Sequence, residues 1–263
     1  MRKKIILVPI TLILIGLALV SFSAGKGTLL RLRPQKDKTY VISSKATMVN
    51  AMEIQGQSMS STQTIETKQS FTAKEVSDTK NVFETQIDAI KLTVSQMGMN
   101  LTYDSEDPTK TSPMLANQTS EFDKILKKPV SITYDGLGHL EESADLEMSQ
   151  LSNAIIELPE EELNVGSEWT YTKNQNVSDF EVNVTMKVTV TGISKKGVNV
   201  SFTGTIDSKD VTGSYEGTAT ISQHTGIVMS SSIKNKLSMT ISEQGLTIPM
   251  TINGTTTTSV EEK

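Results

Sequence analysis

No cysteine occurs anywhere in the 263-residue sequence. A chain without cysteine has no disulfide framework, no thiol nucleophile and no thiolate metal ligand, so its stability must come from an apolar core. There are two histidines, His139 and His224, and no H-E-x-x-H or G-x-S-x-G pattern accompanies them. Aromatic residues are 5% of the chain, with a single Trp, which leaves little for a sugar-stacking platform. Positive charge is also scarce. The formal net charge is −5, and removing Arg2, Lys3 and Lys4 takes it to −8, which argues against nucleic acid and anionic membrane surfaces as partners. With no convergent acid, base and nucleophile, the expectation is a protein that is not an enzyme and uses no cofactor or metal.

What is present begins with a leader. Arg2, Lys3 and Lys4 precede an apolar run from Ile5 to Val20, and Ser21-Phe22-Ser23-Ala24-Gly25 supplies small residues for cleavage. Residues 1–24 have the layout of a secretory signal peptide. Left uncleaved, residues 5–22 would anchor the chain, and this is the only membrane contact expected. The expected location is periplasmic or extracellular, in a bacterium.

Past the leader, apolar and polar residues alternate with a period of two, as in half-buried strands. Tyr40, Ile42, Ser44, Ala46, Met48, Met52 and Ile54 share one parity; after Gly56, Met59, Ile65, Phe71 and Ala73 share the other. Two long strands therefore meet at Gln55-Gly56-Gln57. Phe83 and Ile87 begin the next strand, and Ile90, Leu92 and Val94 continue it on the opposite parity. One extra residue near Ala89, a β-bulge, would do that. The last third alternates most cleanly, from Val182, Val184, Met186, Val188 and Val190 through to Leu246, Ile248, Met250 and Ile252. Short connections predict antiparallel pairing of sequence neighbours.

The middle differs. Ser112-Pro113 reads as a helix start with Ser as N-cap, and Leu115, Phe122, Ile125 and Leu126 recur at helical spacing until Pro129. Val130 to Glu142 reads as a hairpin turned at Asp135-Gly136. A second helix is expected from about Ala144 to Leu158, with Met148, Leu151, Ile155 and Leu158 as its stripe. The expected fold class is mainly β: a long, curved antiparallel sheet or half-open barrel packed against two amphipathic helices. It forms one domain over 28–260, with two duplicated halves, about 38–145 and 165–260, as a further expectation.

Several short pieces carry a resemblance: Lys38-Thr39-Tyr40; Leu101-Thr102-Tyr103-Asp104-Ser105 with Asp107-Pro108; Leu158-Pro159 before Val165-Gly166-Ser167-Glu168-Trp169; Gly217-Thr218; Thr225-Gly226-Ile227; and Ile248-Pro249-Met250. In this order they resemble a family of bacterial exported β-proteins catalogued as a domain of unknown function. Many of its members look like lipoproteins with a Cys at the cleavage site, which this chain lacks. The resemblance brings no catalytic residues. The layout is also similar to that of periplasmic lipoprotein carriers, an analogy of architecture that warrants little about activity.

The polar clusters have plain readings. His139 and His224 sit beside turns and read as exposed. Asp104, Glu106 and Asp107 lack the Gly and distal Glu of a calcium loop and read as a solvated turn. The methionines are more suggestive, because Met lines surfaces that accept varied apolar partners as well as filling irregular cores. The candidate apolar face is Met48, Met52, Met148, Leu151, Ile155, Trp169, Met186, Met229, Met239 and Met250. The expected function is a non-enzymatic envelope module binding an apolar or lipid-like ligand. The alternative is a structural protein with a solid core, whose partner is another envelope protein.

Overall fold

Period-two alternation becomes ladder geometry in the computed structural model, which describes residues 27–54, 56–143, 154–177, 180–243 and 246–263. β1 (Thr39–Ile54) turns at Gly56, where φ is +78°, into β2 (Gln57–Val76). β3 (Asn81–Gln96) and β4 (Met99–Asp104) follow, then α1 (Ala116–Ile125), β5 (Val130–Tyr134) and β6 (Leu140–Ser143). The second run comprises β7 (Glu168–Val177), β8 (Phe180–Ser194), β9 (Gly197–Asp207), β10 (Val211–Ile221), β11 (Val228–Glu243) and β12 (Leu246–Glu262).

All twelve strands form one sheet, in the order β6-β5-β3-β2-β1-β12-β11-β10-β9-β8-β7, with β4 paired to β3 off that path. Apart from β4, each strand lies beside its sequence neighbour and β1 closes onto β12, as in an up-and-down barrel. Among the described residues no ladder joins β6 to β7, so the sheet is not closed. It has one seam.

Both lips of that seam touch the same segment. The Leu158 N–H donates to the Leu137 carbonyl in the β5–β6 turn (2.8 Å), and the Trp169 indole on β7 donates to the Glu157 carbonyl (2.9 Å). The sheet must curl for both lips to reach residues 154–158. The chain before β1 joins them there. Thr28 bridges Leu163, Arg31 donates to the Pro159 and Glu160 carbonyls (3.0 and 2.8 Å), and the Leu32 N–H donates to the Gly136 carbonyl (2.8 Å).

These segments plug one end of the curl. Phe71 stacks on Phe83 at 4.1 Å, Tyr134 meets Phe83 edge-on at 6.1 Å, and Leu30, Leu32, Ile132, Ile221 and Ile227 are fully buried. Each such apolar side chain contributes about 1.5–3 kcal/mol relative to exposure. A further cluster at the other end, Val182, Val184, Ile206, Val211, Leu237 and Met239, is made of sheet residues alone.

The bulge expected near Ala89 is present: Lys68 pairs with Ala89 but Gln69 pairs with Ile87, leaving Asp88 as the extra residue. The first helix is present, with Phe122, Ile125 and Leu126 packed on the core. A 3-10 turn, Pro113–Leu115, starts where expected and leads into it, but the capping role of Ser112 differs from expectation. Leu115 is the N-cap, and the Ser112 hydroxyl accepts from the Thr102 N–H of β4 (3.0 Å) instead. The second helix is not supported. Residues 144–153, including Met148 and Leu151, lie outside the described residues, and Ile155–Leu158 are not helical. There the backbone hydrogen bonds go to the sheet and its turns: the Ala154 carbonyl accepts from the Val228 N–H of β11, and the Leu158 N–H donates to the Leu137 carbonyl of the β5–β6 turn. No helix among the described residues is long and apolar enough to cross a membrane.

Candidate functional site

Continuous register lines the inward residues up in rows across the strands. At the end away from the plug, Met59 on β2 pairs with Met52 on β1, Met52 with Met250 on β12, and Met250 with Met239 on β11. Four methionines thus stand side by side on four adjacent strands. Met239 is buried; Met52, Met59 and Met250 are half-buried. Met97, in the β3–β4 turn, and Met99, in register with Gln96, Ser61 and Asn50, lie near the same end and are 72% and 51% exposed. A flexible, polarizable rim like this re-packs around apolar partners of varied shape.

The row below starts at the seam. Lys173 on β7 pairs with Val184, which pairs with Ile206; then come Gly213, Leu237, Ile252 and Asn50. Lys173 shares the inward face of β7 with Trp169 and Tyr171. Burial pushes its ammonium below the ordinary lysine range, and the Glu157 carboxylate pulls it partly back. Burial pushes the Tyr171 hydroxyl up to about 12, with Glu157 adding to the rise.

Glu157 itself sits in the seam. Burial raises its carboxyl above the usual range, against the charges of His139 and Lys173, while Asp135 adds to the rise. His139 Nε2 lies 3.6 Å from Glu157 Oε2 and His139 Nδ1 lies 2.7 Å from Asp135 Oδ2. Burial works to raise Asp135, but the His139 side chain and the His139 and Leu137 N–H groups hold it below the usual carboxylate range. A chain of ionisable groups, Asp135–His139–Glu157–Lys173, therefore crosses the seam from one lip to the other.

The candidate face is divided by this geometry. Met52, Met239 and Met250 come together in the rim row. Met48 and Met186 lie on one deeper row, Met48–Gly254–Asn235–Tyr215–Gly204–Met186, and both are half-buried. Ile155, Trp169 and Met229 belong to the other end: Ile155 is buried in the plug, Trp169 packs against the neighbouring cluster, and Met229 sits at the β10–β11 register shift. Met148 and Leu151 lie outside the described residues. Sequence reading left out Lys173, although its parity matches Trp169 and Tyr171. His139 is exposed, as expected, but it is paired.

On the opposite, polar face a groove of about 470 Å³ is lined by Lys45, Glu66, Lys91 and Glu106 among others. Two ion pairs lie in it, Lys45 with Glu66 at 2.8 Å and Lys91 with Glu106 at 3.4 Å. Asp104 joins the same set, 3.3 Å from Lys91, and Asp107 pairs with Lys110 at 3.0 Å. Among the described residues no group of His, Asp or Glu is placed to hold a metal ion.

No family model matches the chain, and no curated protein matches it. Solved structures do. One, described as lipid-protein interactions in lipovitellin, is 11% identical with a TM-score of 0.49, covering 86% of this chain and 25% of that one. The chain therefore spans about a quarter of the length of that relative. An outer membrane channel from Pseudomonas putida F1 is 6% identical with a TM-score of 0.25, over 88% of this chain and 98% of the channel. A DUF1329 family protein from Desulfovibrio piger ATCC 29098 is 10% identical with a TM-score of 0.17, over 83% of each chain. None of these likenesses bears on ligand or activity.

Proposed function

We propose that this chain is a non-enzymatic binding module of the bacterial cell envelope, holding an apolar, acyl-type ligand at the end of the curled sheet away from the plug. One observation carries the reading: the cross-strand row Met59–Met52–Met250–Met239, three of whose members remain half-buried beside the exposed Met97 and Met99. A solid core would bury such a row fully, as the plug buries Phe71 and Phe83 at 0% exposure. Partly wetted methionine in an inward-facing row favours a ligand that covers it. The leader-like residues 1–24 support export.

The test is calorimetric titration with dodecanol, a neutral single-chain amphiphile, kept below its solubility limit. The wild-type protein is expected to bind it. The double variant Met52→Gln/Met250→Gln, checked for an intact melt, should bind about tenfold more weakly, since two polar amides would line the contact. Absence of heat with the wild type would leave the solid-core interaction protein as the better reading.

A further inference from the structure

We propose that Lys173 is the anchor for an anionic head group: the ligand is a single-chain carboxylate amphiphile, its carboxylate on the Lys173 ammonium and its hydrocarbon chain along the inner wall toward Met239, Met250 and Met52. This rests on the apolar-ligand reading above and adds the charge that reading lacks.

The placement of Lys173 is the first support. Lysine is among the residues least often turned inward, because an ammonium taken from water must find a partner. Here it lies in a row of Val184, Ile206 and Leu237, all of them buried. On its own strand it follows Trp169 and Tyr171 on the same face, both packed on the cluster around Val188 and Val198.

Charge balance is the second. Glu157 is the anion that acts on Lys173, yet among the described residues no carboxylate lies within 4 Å of its nitrogen. Glu157 is also the group His139 approaches at 3.6 Å, and Asp135 takes the other side of His139. The acidic groups of the seam are thus committed to the seam, and among the described residues the inward cation has no close counter-ion. A carboxylate carried in by the ligand supplies one, and complementary charge fixes which end of an amphiphile enters first.

Reach is the third. Four strand spacings separate β7 from β11, about 19 Å along the sheet and less across the curl. The wall between them is Val182, Val184, Ile206, Val211 and Leu237, with no charged side chain in that cluster. A hydrocarbon chain starting at Lys173 therefore has Val184, Ile206 and Leu237 beside it on the way to the methionine rim.

The experiment compares dodecanoate with dodecanol, each titrated into the purified wild-type protein, Lys173→Met and Lys173→Arg near neutral pH and below the micellar limit. The expected result is wild-type binding of dodecanoate about tenfold tighter than dodecanol, the margin of one charge-assisted hydrogen bond. Lys173→Met should bind the two equally and keep its affinity for dodecanol; Lys173→Arg should keep the preference. Thermal melts verify that each variant folds. Equal affinities in the wild type, or a preference that survives Lys173→Met, overturn the assignment of Lys173 while leaving the apolar site standing. Failure of the wild type to bind either compound overturns the apolar site and Lys173 together.

Discussion

The energetics of single residues separate the two ends of this sheet. Phe83 is fully buried, stacked on Phe71 and edge-on to Tyr134, so Phe83→Ala leaves a cavity that rigid strands cannot close. Urea unfolding should show a loss of about 3–5 kcal/mol. Gly226 is constrained differently: φ is +70°, and an added Cβ would stand 2.3 Å from the Arg31 carbonyl oxygen. Gly226→Ala should cost roughly 1–3 kcal/mol in the same assay, by straining the backbone and pushing the chain before β1 off the plug. Lys173 runs the other way. Its folded pKa is depressed, so between that value and the ordinary 10.5 the unfolded chain holds the extra proton. Wild-type stability should therefore rise with pH through that window, and the cost of the buried cation is fully present below it. Lys173→Met lacks this slope and should melt no lower than wild type near pH 7; a lower melting temperature there would mean that Lys173 is a net stabilising partner of Glu157.

At the scale of the element, local chemistry was readable and pairing across the chain was not. The Gln55-Gly56-Gln57 turn, the Asp135-Gly136 hairpin and the strands from Val182 onward are legible because a two-residue period and a turn residue are local signals. So is the bulge in β3, where apolar parity changes between Ile87 and Ile90. The seam was illegible. Ile155 lies four positions after Leu151 and Leu158 three after Ile155, but the Leu137 carbonyl and the Val228 N–H offer this segment backbone partners, and these win over helix propensity. The ion chain was missed for a related reason: His139 and Glu157 are eighteen residues apart, and the curl alone brings them together. The methionine row needed register, which joins Met52 to Met250 across nearly the whole chain. The bulge yields a sharp prediction. Asp88 is the residue without a cross-strand partner, held by Gln86 (2.8 Å) and the Ser70 hydroxyl. Deleting it should restore a single parity to β3 and turn either Phe83 and Ile87 or Ile90 and Leu92 to solvent. Far-UV circular dichroism of the deletion should show loss of the native β spectrum, whereas Asp88→Asn, which keeps the spacing, should retain it.

The described strands make an unclosed ring, held unevenly around its circumference. β1 and β12 are joined by a ladder running from Tyr40↔Glu262 to Met52↔Met250, and that ladder ties the two runs of strands together opposite the seam. The seam has no ladder among the described residues. It is spanned by isolated contacts: the Thr28–Leu163 bridge, Leu158 to Leu137, Trp169 to Glu157, and the two Arg31 bonds. Opening a ladder breaks many bonds at once, whereas each isolated contact can break alone, so the two sides should open with different free energies. Native-state hydrogen exchange followed by mass spectrometry should find amides of residues 27–33 and 154–164 exchanging well before those of β1 and β12. Trp169, the sole tryptophan, lies on one lip and reports the same event optically, by a red shift of its emission at denaturant levels where the circular dichroism is still native. A long acyl chain enters such a molecule most readily if one side of the ring yields, and saturating dodecanol should then slow exchange in 154–164 more than in β1. Simultaneous exchange of seam and ladder, with no optical change before global unfolding, would instead make the ring one cooperative unit whose ligand enters only past the methionine rim.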